Sequence, residues 1–247
     1  MKKGGFDLPL KALDIIFDRI KPQFLLLMNM IFFLCYPFQF STSLLCAIPK
    51  KGDLSKATNY RGIQMLSLFA SFFDKIIASR LTQWANISPE QSAYIRGRST
   101  TDQLFYLHLI IELCKKRGVC LYIGLFDLSK AFDNVSRFNL LKRLITLGIS
   151  AQFFSVIKAM YSSTFCVLKL FGKLSTKFET FIGIRQGASS SCILFIVYMD
   201  KLIESLRQKC IVEPILGSIH CILHADDTLV LSTSRELFIL KCISKIW

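Results

Sequence analysis

The chain has 247 residues, enough for one large domain or two small ones with a hydrophobic core. Its 31 Lys and Arg against 17 Asp and Glu give a formal net charge of +14, which favours a polyanionic partner, nucleic acid before an anionic membrane surface. Nine cysteines, an odd number with no C-x-x-C, argue against a disulfide framework and predict a reducing, intracellular location, not secretion.

An apolar segment near the N-terminus, residues 24–36 (FLLLMNMIFFLCY), is the candidate for membrane contact. It is about 13 residues long, whereas a spanning helix needs about 20. We therefore predict a buried helix within an N-terminal helical extension, residues 1–36, and no stable membrane insertion. The high mean hydropathy of +0.45 keeps a membrane-associated basic protein as an alternative.

The first half of the chain alternates helical periodicity with polar turns. Apolar positions recurring at three and four predict helices over residues 11–30, 63–81 and 101–116. Between them, residues 48–53 (IPKKGD) indicate a strand end followed by a basic turn, and residues 89–101 indicate a polar, basic loop.

The second half contains the predicted strands. Residues 121–127 (LYIGLFD) predict a strand that ends on Asp127, and a helix over residues 135–147 stops at a C-terminal glycine. Alternation over residues 167–184 suggests a hairpin, and a helix over residues 190–207 follows a serine run that can cap it. This mixture predicts an α+β fold, with helices packed on one face of a small antiparallel sheet.

Two adjacent aspartates, Asp226 and Asp227, interrupt a strand-like stretch at residues 219–233 and predict a hairpin turn. Sheet pairing with the strand that ends on Asp127 would bring the three carboxylates together. Such a cluster suits Mg²⁺, because hard cations choose oxygen ligands and two ions clamp both oxygens of a phosphoryl transfer. The alternative is an ordinary exposed turn, since Asp is a common turn residue.

A zinc site is a further alternative for the same stretch. His220 and His224 are four residues apart with Cys221 between them, which on a helix would suggest paired ligands. In a strand the two histidines merely share a face, and no second ligand pair follows. The zinc interpretation is therefore the weaker one.

Five segments together resemble the reverse transcriptases of non-long-terminal-repeat (LINE-type) retrotransposons. Residues 126–133 (FDLSKAFD), 183–195 (GIRQGASSSCILF) and 224–227 (HADD) are similar to motifs A, B and C. Residues 48–63 and 95–105 are similar to fingers motifs of the same group. The resemblance implies the fingers and palm of a right-hand polymerase, with fingers over residues 37–118 and palm over residues 119–247. It also predicts that the thumb is absent and that no endonuclease precedes the fingers.

The resemblance implies roles for individual residues. Asp127 and Asp226 would hold two Mg²⁺ ions with support from Asp227. Phe132 would lie under the incoming sugar. The remaining residues would contact nucleotide or template: Lys50, Arg61, Gln186 and Gly187 at the nucleotide, with Arg96, Arg98 and Arg185 as weaker candidates for template phosphates.

The chain departs from the family pattern at three places, the first of which is residues 62–64 (GIQ) in the fingers motif, where R-P-I is commoner. His224 stands where Tyr or Phe is usual, so a ring is kept but its polarity differs. Residues 188–192 (ASSSC) replace the usual C-P-L-S-P, which leaves the start of the following helix open.

The predicted function is RNA-directed DNA polymerisation on an RNA template and DNA primer, from deoxynucleotide triphosphates. The expected location is the nucleus or a cytoplasmic ribonucleoprotein. A non-catalytic retrotransposon remnant that only binds nucleic acid is the main alternative, ahead of the membrane-associated protein.

Overall fold

Two separate β-sheets organise the chain. The computed structural model describes residues 10–170, 172–209, 212–217 and 219–243. The chain divides into two units: unit 1 comprises residues up to Leu81 together with Phe132–Ser191, and unit 2 comprises Thr82–Ala131 together with residues from Cys192 onward. Each sheet lies within one unit, so each unit is described by itself.

Unit 1 contains a mixed sheet and most of the helices. Its strands are β1 (Thr42–Pro49), β2 (Tyr60–Met65), β4 (Thr164–Leu170), β5 (Lys173–Leu174) and β6 (Phe178–Thr180). They follow the order β2-β1-β4-β5, with β6 also paired to β4, and β1 runs parallel to β4. The helices are α1 (Leu10–Phe33), α2 (Leu68–Trp84), α4 (Arg137–Thr146) and α5 (Ala151–Ser162), and a short 3₁₀ turn, Phe38–Ser41, precedes β1.

Unit 2 contains a three-stranded antiparallel sheet. Its strands are β3 (Tyr122–Phe126), β7 (Cys221–His224) and β8 (Asp227–Ser232), in the order β3-β8-β7. Its helices are α3 (Thr100–Arg117), α7 (Arg235–Ile243) and most of α6 (Ser189–Lys209). Apolar side chains of α3, the sheet and the segment before β7 form a buried cluster, comprising Ile110, Cys114, Leu216, Ile222 and Leu231. Burial of this apolar area fixes the helix on one sheet face.

Local sequence explains the bounds of α3. Ser99 accepts a hydrogen bond from the backbone N–H of Asp102, and the Asp102 carboxylate accepts one from the backbone N–H of Ser99, which together form a capping box. Gly118 ends the helix in the left-handed conformation, with a φ of +62°. The helix predicted over residues 101–116 is therefore confirmed.

The predicted α+β fold is confirmed, as are the helices near residues 11–30, 135–147 and 190–207 and the strand near residues 121–127. One helix boundary was wrong. Residues 63–65 belong to β2, where Ile63 pairs with Cys46 and Met65 with Leu44, and the helix begins only at Leu68. Pairing with β1 overrides the helical periodicity there, because backbone ladder bonds and side-chain packing outweigh weak local preference.

The strand region after α5 is more divided than the alternation predicted. A turn at Gly172, with a φ of +79°, joins β4 to β5, and β6 then returns to β4. Gly183 lies beyond this group of strands, in the segment leading to α6. Two features carried no recognised sequence signal: the parallel pairing of β1 with β4, and helix α5, which precedes β4 in the chain.

The expected burial of the N-terminal apolar helix was wrong. Met28 and Ile31 are buried in α1, but its neighbours Leu25, Leu26 and Phe33 are 61%, 61% and 64% exposed. Within the part of the chain that the structure describes, no helix combines the length and apolar character needed to cross a membrane.

Candidate active site

The predicted site residues divide between the two units. Asp127, Asp226 and Asp227 lie in unit 2 with Arg96 and Arg98. Unit 1 contains the predicted nucleotide residues and the third arginine, comprising Lys50, Arg61, Phe132, Gln186, Gly187 and Arg185.

The carboxylates of unit 2 lie at one end of its sheet. Phe126 pairs with Thr228 in the β3–β8 ladder, so the next residue along, Asp127, continues the register beside Asp227. His224 pairs with Asp227 across the β7–β8 hairpin, which leaves Ala225 and Asp226 as a two-residue turn. Sheet pairing thus brings together Asp127 and Asp226, which lie about a hundred residues apart in the sequence, as predicted. We call β7, this turn and β8 the carboxylate hairpin.

The three carboxylates at this end of the sheet differ in exposure. Asp127 and Asp227 are exposed and Asp226 is half-buried. Among the described residues, no group of three or more His, Cys, Asp or Glu side chains is arranged as a ready metal site. The donor set at the hairpin nevertheless suits Mg²⁺, which is commonly held by one or two carboxylates plus substrate phosphates and waters.

The turn itself has an unusual backbone. Ala225 has a φ of +58°, a left-handed conformation in which a side chain is crowded. Two-residue hairpin turns usually place glycine, asparagine or aspartate at such positions. The conformation therefore requires support from neighbouring groups.

That support comes from a segment that sequence reasoning missed, residues 90–92. The side chain of Gln91 is fully buried and bonds to the backbone of Ala225. Ser92 Oγ lies 2.9 Å from His224 Nδ1 and 3.3 Å from the carbonyl of Leu223. An uncharged Gln inside a polar loop resembles a solvent-exposed residue, and only the structure shows that this loop runs beside β7.

The arginines of the same loop differ from one another. Arg96 is exposed, as a phosphate contact requires. Arg98 is half-buried, and its Nη1 donates to the carbonyls of Ser88 at 2.9 Å and Gln91 at 2.7 Å. The structure therefore gives Arg98 the role of holding its own loop together, which differs from the template contact that we expected.

In unit 1, Lys50 and Arg61 lie at the end of the β1–β2 hairpin where the loop joins the two strands. Ile48 pairs with Arg61, and the backbone N–H of Lys50 donates to the carbonyl of Asn59 at 2.7 Å. Residues directly opposite or two apart share a sheet face, so both exposed basic side chains lie on one face. The predicted pair is brought together, and its phosphate contact stays a prediction.

Residues 183–188, which we call the motif B turn, pack on two other segments of unit 1. Gln64 N–H donates to the carbonyl of Gln186 at 2.7 Å, and Ile184 N–H donates to the carbonyl of Phe132 at 3.0 Å. A Cβ at Gly187, whose φ is +116°, would stand 2.7 Å from the carbonyl oxygen of Gln64. Glycine is therefore required for this close approach.

Phe132 is half-buried beside this turn. A Cβ at Gly183 would stand 2.6 Å from the carbonyl oxygen of Asp133, so the chain after Phe132 also lies against the turn. The structure thus brings Phe132, Gln186 and Gly187 together in one part of unit 1. Their roles at the sugar and the nucleotide stay predictions.

Buried polar groups support the motif B turn from inside. Asp74 of α2 accepts hydrogen bonds from the hydroxyl and the backbone N–H of Ser190, the latter at 3.1 Å. Burial raises the pKa of Asp74, although the bonds from Ser190 oppose that shift. These contacts also answer the question left by the ASSSC segment, because α6 begins at Ser189 and Ser190 is fully buried.

Arg185 is part of the same buried region, which corrects its expected role. It is 2% exposed, and its guanidinium donates to Tyr36 Oη at 3.2 Å and to the carbonyl of Met160 at 3.0 Å. The guanidinium also lies 5.7 Å from the ring centre of Tyr161. A side chain enclosed in this way supports the turn and does not face a template phosphate.

The solvent-facing carboxylates lie at one end of the sheet of unit 2, and the exposed basic side chains Lys50 and Arg61 lie on the sheet of unit 1. The chain belongs to the reverse transcriptase (RNA-dependent DNA polymerase) family, whose model matches residues 48–246. The predicted family is therefore confirmed.

Similar curated proteins come from retrotransposons. The chain is 29% identical over 175 residues to a 149 kDa protein of transposon TX1 from Xenopus laevis, covering 70% of this chain and 13% of that protein. It is 28% identical over 193 residues to the Pol polyprotein of retrotransposable element R2 from Popillia japonica, covering 77% of this chain and 27% of the relative. The chain thus spans about a quarter or less of the length of these relatives. Their names agree with the predicted non-long-terminal-repeat type of retrotransposon.

Solved structures show the same fold. Apo telomerase from Candida tropicalis, truncated from its C-terminal domain, matches with a TM-score of 0.59 over 90% of this chain and 50% of that chain, at 15% identity. Telomerase from Candida albicans with a fragment of telomeric RNA matches with a TM-score of 0.57 over 84% of this chain and 41% of that chain, at 14% identity. At such low identity the likeness concerns the fold alone, and it agrees with the predicted fingers and palm.

Proposed function

We propose that this chain contains the catalytic part of an RNA-directed DNA polymerase, which extends a DNA primer along an RNA template from deoxynucleotide triphosphates. The family match over residues 48–246 supports the reaction class. The observation that carries the proposal is the sheet register, which aligns Asp127 with Asp227 and puts Asp226 in the adjoining turn.

The carboxylates have a chemical task in this reaction. Asp127 and Asp226, with Asp227 beside them, would hold two Mg²⁺ ions. When bound, such ions neutralise charge on the attacking and leaving oxygens of a phosphoryl transfer. The primer 3′-hydroxyl then attacks the α-phosphate and pyrophosphate leaves. Exposure of Asp127 and Asp227 leaves their oxygens open to both metal and substrate.

The basic side chains of unit 1 fit the other parts of the substrate. Lys50 and Arg61 share an exposed face, and ammonium and guanidinium groups bind phosphate through charge-assisted hydrogen bonds. The net charge of +14 serves association with the nucleic-acid backbone. Template, primer and nucleotide are therefore the partners that we assign to the chain.

Primer extension tests this function. The 247-residue chain, with Mg²⁺, a primed RNA template and deoxynucleotide triphosphates, should add nucleotides to the primer. Asp127→Asn should remove this activity almost completely, because loss of one carboxylate leaves the developing charge without its counter-ion. Asp18→Asn is the matched control, since Asp18 is an exposed carboxylate of α1, outside the carboxylate hairpin. Equal activity in the wild type and in Asp127→Asn would contradict the site.

The second candidate function is nucleic-acid binding without catalysis, and the charge of the chain favours it independently. A wild-type chain that binds RNA in a salt-dependent manner but adds no nucleotide would support this candidate and overturn the polymerase proposal.

A further inference from the structure

Gln91 lies where the loop before α3 meets the carboxylate hairpin, entirely within unit 2. The backbone N–H of Leu223 donates to the carbonyl of Glu90 at 2.9 Å, and that of Ser92 donates to the carbonyl of Leu223 at 3.0 Å. Gln91 and Leu223 thus form a parallel bridge, which adds a short strand-like edge to β7. This pairing carries the Gln91 side chain to the turn, and the side chain is 0% exposed.

The amide of Gln91 bonds to both backbone groups of Ala225. Its Oε1 accepts from the Ala225 N–H at 3.0 Å, and its Nε2 donates to the Ala225 carbonyl at 3.4 Å. Oε1 also accepts from the N–H of Ala93 at 3.0 Å, which fixes the side chain to its own loop. Ala225 is 7% exposed, so water cannot readily replace these bonds.

Few side chains can bond to the N–H and the carbonyl of the same residue. Asn and Gln alone present an amide donor and a carbonyl acceptor together, and the shorter Asn would not span the same distance. The residue that Gln91 holds is the one with the left-handed φ of +58°, and Asp226 follows it directly. A change in the peptide of Ala225 therefore displaces the Asp226 carboxylate.

We propose that Gln91 is a positioning residue for the catalytic carboxylates: its buried amide holds Ala225 in the left-handed conformation and thereby sets the place of Asp226. The role rests on the proposed polymerase function, because it concerns the geometry of the same site. Reaction rates are sensitive to such geometry, and a misplacement of about 1 Å can cost about a hundredfold.

The kinetic test compares Gln91→Leu with Gln103→Leu in the full chain. Gln91→Leu removes donor and acceptor at nearly constant volume, and kcat should fall roughly 10- to 100-fold. KM for the deoxynucleotide should stay within about twofold, because the predicted nucleotide residues lie in unit 1, and the Mg²⁺ concentration for half-maximal rate should rise. Gln103→Leu is the matched control, because the Gln103 amide donates a hydrogen bond to the Glu90 carbonyl of the same loop at 3.5 Å. In this variant kcat should change little.

A rescue variant separates positioning from simple loss of structure. Glycine adopts positive φ without strain, so Ala225→Gly in the Gln91→Leu background should recover part of the lost kcat. If Gln91 only stabilises the loop, glycine would give no recovery, since the lost loop contacts remain lost. An unchanged kcat in Gln91→Leu, or a loss that Ala225→Gly fails to reduce, would overturn the proposal.

Two readouts do not depend on activity. Hydrogen exchange of the Ala225 amide should be slow in the wild type and fast in Gln91→Leu, and Mn²⁺ binding measured by electron paramagnetic resonance should weaken in the same variant. A wild-type chain that makes no DNA contradicts the polymerase function, and the positioning role of Gln91 is then judged on these two measurements alone. Unchanged exchange and unchanged Mn²⁺ binding would contradict it.

Discussion

The carboxylate hairpin of unit 2 and the motif B turn of unit 1 place charge in opposite ways. Asp227 of the hairpin and the neighbouring Asp127 are exposed, and the hairpin is held from inside by the neutral amide of Gln91. At the motif B turn, the neutral Gly187 is exposed, while the charged side chains of Arg185 in the turn and Asp74 in α2 are buried.

The difference follows from what each region needs. Carboxylates that are to hold a hard cation keep their hydration, and burying them without a partner would be costly. The motif B turn, which is predicted to lie near the nucleotide, would need a fixed backbone, and the buried hydrogen bonds of Asp74 and Arg185 hold it in place. Substitutions should therefore affect catalysis in the hairpin and stability beneath the motif B turn.

The largest effect on stability is expected at Asp74. Asp74→Leu leaves the two buried donors of Ser190 without an acceptor and removes the carboxylate that lies near Arg185. Breaking a buried charged network in this way typically costs about 3–5 kcal/mol. Urea unfolding measures the loss, and Asp18→Leu, at an exposed position of α1, is the control with a small expected change. A loss below about 1 kcal/mol would show that the network is not what holds the turn.

The next effect concerns Phe132, which lies beside the motif B turn. If its ring excludes a ribose 2′-hydroxyl, the selection is steric, and overpacking of about 1–3 kcal/mol corresponds to roughly five- to a hundredfold preference for deoxynucleotides. Phe132→Val should raise ribonucleotide incorporation relative to deoxynucleotide, measured by competitive primer extension. An active Phe132→Val enzyme with the wild-type preference would show that the ring is a packing residue only.

A smaller effect separates the two arginines that were given the same expected role. Arg96 is exposed, so Arg96→Gln should reduce the slope of log K against log salt by about 0.7 for single-stranded RNA. Arg185 is 2% exposed, and Arg185→Met should leave that slope unchanged while lowering stability. Fluorescence anisotropy between about 50 and 200 mM salt measures both. A reduced slope in Arg185→Met would mean that Arg185 reaches the template after all.

The smallest effect is a dependence of stability on pH at His220. Burial, together with the nearby Lys241 ammonium, lowers the pKa of His220 below its usual 6.5. Between about pH 6.5 and the folded pKa, His220 is therefore protonated in the unfolded chain but neutral in the folded chain. The free energy of unfolding should fall as the pH decreases through this window, by at most about 1.4 kcal/mol per pH unit. His220→Gln should flatten the stability curve in that window, measured by urea unfolding from pH 7 to 5. An identical curve in the variant would contradict the shift.

Sequence reasoning found the parts of the site that carry a short, local pattern. The strand ending on Asp127 and the hairpin around Asp226 have alternating apolar residues that stop at the carboxylates, and their pairing follows from sheet geometry. The resemblance to the family located Phe132 and Gln186, which the structure brings together in one unit.

The missed features depend on contacts between distant segments. Gln91 meets Ala225 across 134 positions, and Asp74 meets Ser190 across 116, so neither partner is visible in a local pattern. The burial of Arg185 was missed for a similar reason. A basic residue in a motif is normally assumed to be exposed, and only the packing of Tyr36 and Met160 around it shows otherwise.

The most direct test of the central claim is to locate the bound divalent ion. Fe²⁺ substituted for Mg²⁺, with ascorbate and peroxide, generates radicals that cleave the backbone near the metal. The account predicts cleavage at two places, around residue 127 and around residues 225–227, because the sheet register brings these segments together. Both cuts should disappear in Asp127→Asn and persist in Asp18→Asn. Cleavage at only one of the two segments, or both cuts unchanged in Asp127→Asn, would contradict a shared metal site at the carboxylate hairpin.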